Sequence, residues 1–248
     1  MPAVFVHGVP ETAAIWAPML AELDLADAIT LSPPGFGAPV PDGFGATSDD
    51  YLGWLAGEIE RIGGPVDLIG HDWGAGHVMR LATARPDLIR SWCIDLAGIL
   101  DPGYAWHDLA QVWQTPGEGE RLVRDMFEAP VADQAAALVG LGMRPAAAQA
   151  CAEAAGPQMG RCVLALYRSA VQPALTTWGR EFEAAERRPG LVIIATADRV
   201  VGTPEQAQRA AQRLGARQAV LDGLGHWWMQ QDPGAGARAI GEFLATLD

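Results

Sequence analysis

Cysteines, basic residues and long apolar runs are all scarce in this 248-residue sequence. The three cysteines, Cys93, Cys151 and Cys162, form no CxxC pair, so neither a disulfide framework nor a zinc site is indicated. Only 17 bases stand against 30 acids, and the net charge of -13 repels nucleic-acid phosphates and anionic lipid headgroups. We therefore expect no nucleic-acid partner and no peripheral binding to membranes.

No segment reaches the ~18 consecutive apolar residues that a membrane-spanning helix needs. The first residues, Met1–Val6, also lack the basic start and the apolar length of a signal peptide. Hydrophobic residues make up 50% of the chain and charged residues 19%, a balance typical of chains that form a packed core. We expect a soluble, cytoplasmic protein with one large α/β domain, and its oligomeric state is left open.

Short apolar segments bounded by Gly, Pro and Asp alternate with longer helical patterns along most of the sequence. This alternation is typical of β-α-β units and a mostly parallel sheet. Strands are predicted at Ala3–Val6, Ala28–Leu31, Val66–Ile69, Trp92–Leu96, Leu191–Ala195 and Gln218–Leu221. Helices are predicted at Tyr51–Ile62, Ala75–Ala84, Pro204–Leu214 and Gly236–Leu247.

The interval from about Ile99 to Arg188 interrupts this alternation. It is rich in Ala, Leu and Gln, is broken by several Pro and Gly residues, and shows no clear strand pattern. Because it lies between two predicted strands, we interpret it as a helical cap over the strand ends, where open α/β sheets bind ligands. The prediction is a core of residues 1–98 and 189–248 and a cap, or lid, of residues 99–188.

The clearest local motif is Gly70-His71-Asp72-Trp73-Gly74, between the strand at Val66–Ile69 and the helix that starts at Ala75. Small residues around the central position permit a tight strand-to-helix turn that exposes one side chain at the carboxyl edge of the sheet. That side chain is Asp72, a carboxylate that is ionised at neutral pH. It can therefore attack an electrophilic carbon without first losing a proton to a base.

Together with four further motifs, this segment resembles the α/β-hydrolase superfamily, in particular its epoxide hydrolase and haloalkane dehalogenase branch. The four motifs are His7-Gly8-Val9-Pro10, Pro34-Gly35-Phe36-Gly37, Asp198 in a loop after a strand, and Gly225-His226 near the end of the chain. They occur in the order found in the family. The resemblance implies an α/β-hydrolase fold with about six strands, without the N-terminal edge strands common in the family, and with a helical cap insertion.

The resemblance also implies a set of catalytic roles. Asp72 would form an alkyl-enzyme ester, His226 would activate the water that hydrolyses it, and Asp198 would orient His226. Asp95 is an alternative acid, since some relatives place this residue after the strand that corresponds to Trp92–Leu96. Asp95 lies one position away from the family's spacing, and such an offset reverses the face of a strand, so Asp198 is favoured.

Hydrolysis of the ester would create an oxyanion, which backbone N–H groups must stabilise. By resemblance, these groups belong to Val9 and Trp73. No metal or organic cofactor is implied, because an aspartate, a histidine and water complete the cycle. The expected partner is a small apolar electrophile, an epoxide or a haloalkane.

An epoxide needs a proton donor for the oxygen of its opened ring. Tyr167-Arg168, late in the cap, is similar to the Tyr-Arg pair by which epoxide hydrolases position a ring-opening tyrosine. The phenol of Tyr167 is protonated at pH 7 and can donate. His107 and Tyr104 are candidates for the second donor, and we choose His107 because Trp106-His107 resembles a family variant with a histidine there. We therefore predict an epoxide hydrolase that forms vicinal diols.

Two alternatives stay open. In a haloalkane dehalogenase, N–H donors hold the halide; one branch has Asn where this chain has Val9, and another uses a cap tryptophan. Three tryptophans are available for that role, Trp106, Trp113 and Trp178. The alternative of another class is a non-catalytic small-molecule binding protein on a hydrolase fold. Competent residues at the nucleophile, base and acid positions argue against it.

Overall fold

The computed structural model describes residues 1–247 and contains a six-stranded parallel sheet in the order β2-β1-β3-β4-β5-β6. The strands are β1 (Ala3–Val6), β2 (Ala28–Leu31), β3 (Val66–Gly70), β4 (Ile89–Ile94), β5 (Gly190–Ala195) and β6 (Arg217–Leu221). The predicted α/β-hydrolase fold with about six strands is confirmed. Asp248, the last residue of the predicted core, lies outside the described residues.

Helices connect these strands and follow the last one. The α-helices are α1 (Ala17–Leu20), α2 (Ser48–Ile62), α3 (Trp73–Ala84), α4 (Asp108–Gln114), α5 (Glu118–Phe127), α6 (Val131–Gly140), α7 (Pro145–Ala154), α8 (Pro157–Ser169), α9 (Ala174–Ala184), α10 (Pro204–Leu214), α11 (Trp228–Gln231) and α12 (Pro233–Leu244). Short 3₁₀ helices lie at Ala13–Trp16, Pro86–Leu88 and Ala97–Leu100. Within residues 1–247, no helix combines the length and the apolar character that a membrane crossing requires.

The helix starts follow capping signals that the hydrophobic pattern alone does not contain. α2 begins before the predicted Tyr51 because Thr47 and Asp50 form a reciprocal capping box. α12 begins before the predicted Gly236 because Asp232 caps it and Pro233 occupies its first turn. α10 has the predicted bounds, and there the sequence places Thr203 directly before Pro204.

β4 is displaced from its predicted position. It runs from Ile89 to Ile94 rather than from Trp92 to Leu96, and its register pairs Ile89 with Val66 of β3. The predicted bounds were wrong because Asp95 and Leu96, although buried, belong to the turn after the strand. The preference for Asp198 over Asp95 relied on the alternating faces of a strand, and that reasoning does not apply because Asp95 lies outside β4. The role of Asp95 must be judged from its contacts.

The central strands are buried on both faces, and alternate residues of β1, β3 and β5 contribute to two different cores. Val4 and Leu68 belong to the larger core, which includes residues of α2, α3 and α10. Phe5 and Ile69 belong to the second core, which includes residues of α11 and α12. Because all six strands run in the same direction, their carboxyl ends and the loops that follow them meet at one edge.

Helices α4–α9 lie between β4 and β5, and Tyr167 of α8, with Trp106 and His107 just before α4, lies over Asp72 at this edge. α4, α5 and α8 pack together, α6 packs on α7, and α9 contacts α3. α7 also joins the second core through Ala148 and Cys151, which anchors this segment to the sheet. The boundaries of a separate cap at residues 99 and 188 stay a prediction.

Candidate active site

Asp72 occupies the turn between β3 and α3 in a backbone conformation that L-residues rarely adopt, with φ 49° and ψ -126°. The turn is tightly packed. A Cβ on Gly70 would lie 2.5 Å from the backbone of Ala75, and a Cβ on Gly74 would overlap the carbonyl group of Val6. Only glycine fits at these two positions, and the turn presents Asp72 at the carboxyl edge of the sheet.

Three predicted catalytic side chains from distant parts of the chain lie together at this edge. His226 Nδ1 is 2.8 Å from Asp198 Oδ2, and His226 Nε2 is 3.9 Å from Asp72 Oδ2. Asp198 follows β5, and its second oxygen accepts a hydrogen bond from the Val200 N–H at 2.7 Å. A neutral His226 that donates from Nδ1 to Asp198 leaves Nε2 as an acceptor on the side of Asp72.

The two oxygens of Asp72 have different surroundings. Oδ1 accepts a hydrogen bond from the Val9 N–H at 3.0 Å, whereas Oδ2 faces His226. Trp73 is the first residue of α3, where backbone N–H groups have no acceptor within the helix. The structure places the Val9 N–H against Oδ1, and the Trp73 N–H stays the predicted second donor.

The titration of the three residues reflects burial and mutual contact. Burial raises the pKa of Asp72 to about 6, against the opposing effect of the His226 charge. Burial alone would lower the pKa of His226, but the charge and hydrogen bond of Asp198 raise it above its usual value. Burial alone would raise the pKa of Asp198, but the charge and hydrogen bond of His226 lower it below its usual value. At neutral pH, Asp72 is therefore ionised and His226 is a base strengthened by its partner.

An aromatic cluster closes the site from above, and we define it as Trp73, Tyr104, Trp106, Trp113 and Tyr167. Ring centroids lie 5.9 Å apart for Trp73 and Trp106, and 4.7 Å apart for Trp113 and Tyr167. The cavity that remains over Asp72 measures about 10 Å³. That volume is close to what one water molecule occupies by the same measure.

Both predicted proton donors line this cavity with Asp72. Burial and the Asp72 charge raise the pKa of Tyr167, so its phenol keeps its proton. Burial lowers the pKa of His107, whose Nδ1 accepts a hydrogen bond from the Ala110 N–H at 3.2 Å. The neutral ring therefore carries its proton on Nε2, a buried atom without a hydrogen-bond partner among the described residues.

Two other polar groups of the cluster are already engaged. The Tyr104 hydroxyl donates to the carbonyl oxygen of Val200 at 3.2 Å. The Trp106 indole N–H donates to the carbonyl oxygen of Ala170 at 3.1 Å. Of the two candidates for the second donor, His107 is thus the one whose N–H is free.

A model of the alpha/beta hydrolase family matches residues 3–239. The chain belongs to this family. The superfamily predicted from the five motifs is therefore confirmed, and the protein is a hydrolase by family. Membership of the family does not identify the nucleophile or the substrate, because one fold hosts many reactions. Both must be argued from the site residues.

This alpha/beta hydrolase is similar to 2-(acetamidomethylene)succinate hydrolase of Mesorhizobium japonicum, at 31% identity over 90 residues. The match covers 36% of this chain and 32% of that protein, about a third of its length. Among solved structures, haloalkane dehalogenase DbeA from Bradyrhizobium elkani is 22% identical, with a TM-score of 0.78 over 99% of this chain and 90% of that chain. An esterase from Thermogutta terrifontis is 20% identical, with a TM-score of 0.73 over 100% and 90%. Identities this low support the shared fold alone.

A buried network that the sequence did not predict lies beside His226, and it consists of Glu11, His71 and Asp95. His71 Nδ1 is 2.5 Å from Asp95 Oδ2, and His71 Nε2 is 3.2 Å from Glu11 Oε1. Asp95 Oδ1 also accepts a hydrogen bond from the Asp72 N–H at 3.0 Å. The structure thus places Asp198 against His226, and it places the alternative acid, Asp95, beneath the nucleophile turn. The sequence feature that could have indicated Glu11 is its position as an acid directly after the motif His7-Gly8-Val9-Pro10.

Glu11, His71 and His226 each direct one possible metal-ligand atom to within 4.8 Å of the others. However, Glu11 Oε1 already accepts hydrogen bonds from His71 and from the Trp227 indole. Both nitrogens of His71 face carboxylates, so neither has a lone pair for a cation. These contacts fit a hydrogen-bonded ion network better than a metal centre.

Proposed function

We propose that this hydrolase converts an epoxide to a vicinal diol through an ester formed on Asp72. The observation that carries the proposal is a carboxylate at the nucleophile turn. Its Oδ1 accepts from Val9, and its Oδ2 lies 3.9 Å from His226, which is paired with Asp198. An ionised carboxylate attacks carbon directly, so the histidine is reserved for the hydrolytic step.

In the first step, Asp72 Oδ2 bonds to a ring carbon of the epoxide and the carbon–oxygen bond of the ring breaks. The phenol of Tyr167 gives its proton to the ring oxygen, and the Nε2–H of His107 donates a hydrogen bond to it. Both groups line the cavity over Asp72. The product is a hydroxyalkyl ester of Asp72.

In the second step, His226 Nε2 takes a proton from water and the hydroxide attacks Cγ of Asp72. The oxyanion forms on Oδ1, where the N–H groups of Val9 and Trp73 are available to it. Collapse releases the diol, which takes the proton held by His226. The proton left on the Asp72 acid returns to the Tyr167 phenolate, which restores the starting state.

Haloalkane dehalogenation is the competing function, and the contacts of the cap support it less. A halide needs N–H donors, and the Trp106 indole N–H is bonded to Ala170. The buried Trp113 indole N–H has no hydrogen-bond partner among the described residues, but Trp113 does not line the cavity over Asp72. Val9 occupies the position at which one dehalogenase branch has asparagine, and these 248 residues contain no asparagine. A phenol and a free imidazole N–H suit an oxygen that must be protonated better than they suit a halide.

The test is to trap the ester in a His226→Gln variant. The variant is incubated with a panel of epoxides and terminal haloalkanes, and intact mass and peptide mapping follow. We expect a mass increase equal to a whole epoxide on the peptide that contains Asp72. The matched control, Asp72→Asn combined with His226→Gln, should show no adduct.

Other results would redirect the proposal. An alkyl adduct with release of halide would favour a dehalogenase. A folded variant that binds panel members and forms no adduct would contradict Asp72 as the nucleophile and favour a non-catalytic binding protein.

A further inference from the structure

Glu11 connects the loop after β1 to the loop that carries His226. Its Oε2 accepts from the Gly8 N–H at 3.0 Å, and its Oε1 accepts from the Trp227 indole N–H at 2.5 Å. Gly8 precedes Val9, the donor to the nucleophile, and Trp227 follows the base. A displacement of Glu11 would thus disturb groups on both sides of the reacting atoms.

Asp95 makes the corresponding connection for the nucleophile turn. Its Oδ1 accepts from the Asp72 N–H at 3.0 Å, and its Oδ2 accepts from the Trp228 indole N–H at 2.8 Å. Asp72 has a φ of 49°, a conformation that persists only when its surroundings hold it. The side chain of Asp95 supplies such a contact to the backbone of the nucleophile.

His71 lies between these two acids and is fully buried. Because a carboxylate faces each ring nitrogen, both nitrogens must donate, and only an imidazolium has two N–H groups. Burial lowers the pKa of His71, but the charges of Asp95 and Glu11 raise it well above its usual value. Its ring centroid is 4.6 Å from that of His226.

Among the described residues, the charge of His71 also acts on His7, Asp72, Asp198 and His226. Burial lowers the pKa of His7 to about 4, so this neighbour is neutral at pH 7. The remaining three are the catalytic residues themselves. A charge on His71 is therefore felt mainly by Glu11, Asp95 and the catalytic residues.

We propose that His71 is a positioning residue that keeps a fixed positive charge behind the catalytic base, held in place by Glu11 and Asp95. This charge opposes protonation of His226 and favours the ionised form of Asp72, so it keeps base and nucleophile active over the same pH range. The importance of this charge for catalysis rests on the proposed function. The charge of His71 and its effect on His226 do not depend on any substrate.

The first test is the ¹⁵N spectrum of the histidine rings in the wild-type protein, which contains five histidines. At neutral pH we expect the His71 ring to have both nitrogens protonated, with its signals assigned by their loss in a His71→Gln variant. The low pKa values of His7 and His77, about 4 and about 3, supply neutral rings for reference in the same spectrum. A neutral tautomer of His71 at pH 7 would overturn the proposal.

The second test uses two substitutions of opposite charge effect and follows the titration of His226 by NMR. His71→Gln removes a positive neighbour and should raise the pKa of His226. Glu11→Gln removes a negative neighbour and should lower it, provided that the ¹⁵N spectrum of the same variant shows both nitrogens of His71 still protonated. A purely structural role would give no such pair of opposite shifts, and shifts of the same sign in both variants would contradict the proposal.

Neither measurement needs a substrate, so the failure of epoxide trapping and the failure of this inference are distinguishable. Circular dichroism and urea unfolding establish that each variant is folded. If the His71→Gln variant does not fold, the ¹⁵N spectrum of the wild-type protein still tests the proposal. In that case, the His71 signals are assigned by their shift in the Glu11→Gln variant, and they show whether His71 carries two protons.

Discussion

Replacement of Asp72 by asparagine is expected to stabilise the folded protein, because the structure buries this carboxylate at an energetic cost. Asp72 is 5% exposed, and burial raises its pKa from 3.8 to about 6. A carboxyl group with a higher pKa in the folded state binds a proton more tightly there than in the unfolded chain. Folding is therefore penalised wherever the unfolded carboxyl is ionised.

The size of this penalty follows from the two pKa values. A rise of about two units corresponds to about 3 kcal/mol, at about 1.36 kcal/mol per unit. The full penalty applies above pH 6, where Asp72 is ionised in both states, and it is lost as the pH falls to 3.8 and below. At pH 5 about half of it remains. Asparagine retains an oxygen that can accept from Val9, so the substitution mainly removes the charge.

The assay is urea unfolding of wild type and Asp72→Asn at pH 7.5 and pH 5, with Asp42→Asn as the control. Asp42 is exposed in a turn, and its substitution should change the free energy of unfolding by no more than about 0.5 kcal/mol at either pH. Asp72→Asn should gain up to about 3 kcal/mol at pH 7.5 and about half of that at pH 5. No gain at pH 7.5, or the same gain at both pH values, would refute the reasoning.

Three further predictions concern the proposed reaction. Trp106→Ala should let bulkier epoxides form the Asp72 adduct, because the Trp106 ring packs against Trp73 over the site. The control Trp178→Ala removes a ring that packs on Arg80 and should not have this effect. Mass spectrometry of the adducts over epoxides of increasing size compares the two variants. Tyr167→Phe should slow adduct formation about 10²-fold with epoxides and leave alkyl halides unaffected, as measured by quenched time courses. In His226→Gln, the adduct rate should fall about tenfold per pH unit below the pKa of Asp72, because only the ionised carboxyl attacks. The midpoint should lie above 6 in that variant, since the charge of His226 lowers this pKa in the wild type.

The strand pattern could be predicted where apolar runs end at residues that break a strand. β1 and β2 have the predicted bounds, and β3 is longer by a single residue, Gly70. β4 was misplaced because burial continues past its end. Asp95 and Leu96 are buried in the turn that follows, and hydrophobic periodicity does not separate a buried turn from a buried strand.

The residue types of the candidate site were visible in the sequence because each belongs to a short local motif. Their proximity was not visible, since His226 and Asp72 are brought together only by the sheet. The network of Glu11, His71 and Asp95 was missed for the same reason. Its members belong to three separate loops, and their contacts span 24 and 60 residues of sequence. No local pattern records such distances.

The small cavity over Asp72 has a kinetic consequence. A volume of about 10 Å³ admits the hydrolytic water but no epoxide. In the proposed cycle, the side chains that cover Asp72 must move aside once for substrate entry and once for diol release. Such motions often limit turnover in enzymes that enclose their substrates. Turnover would then slow as solvent viscosity rises, while hydrolysis of an ester already enclosed would proceed at an unchanged rate.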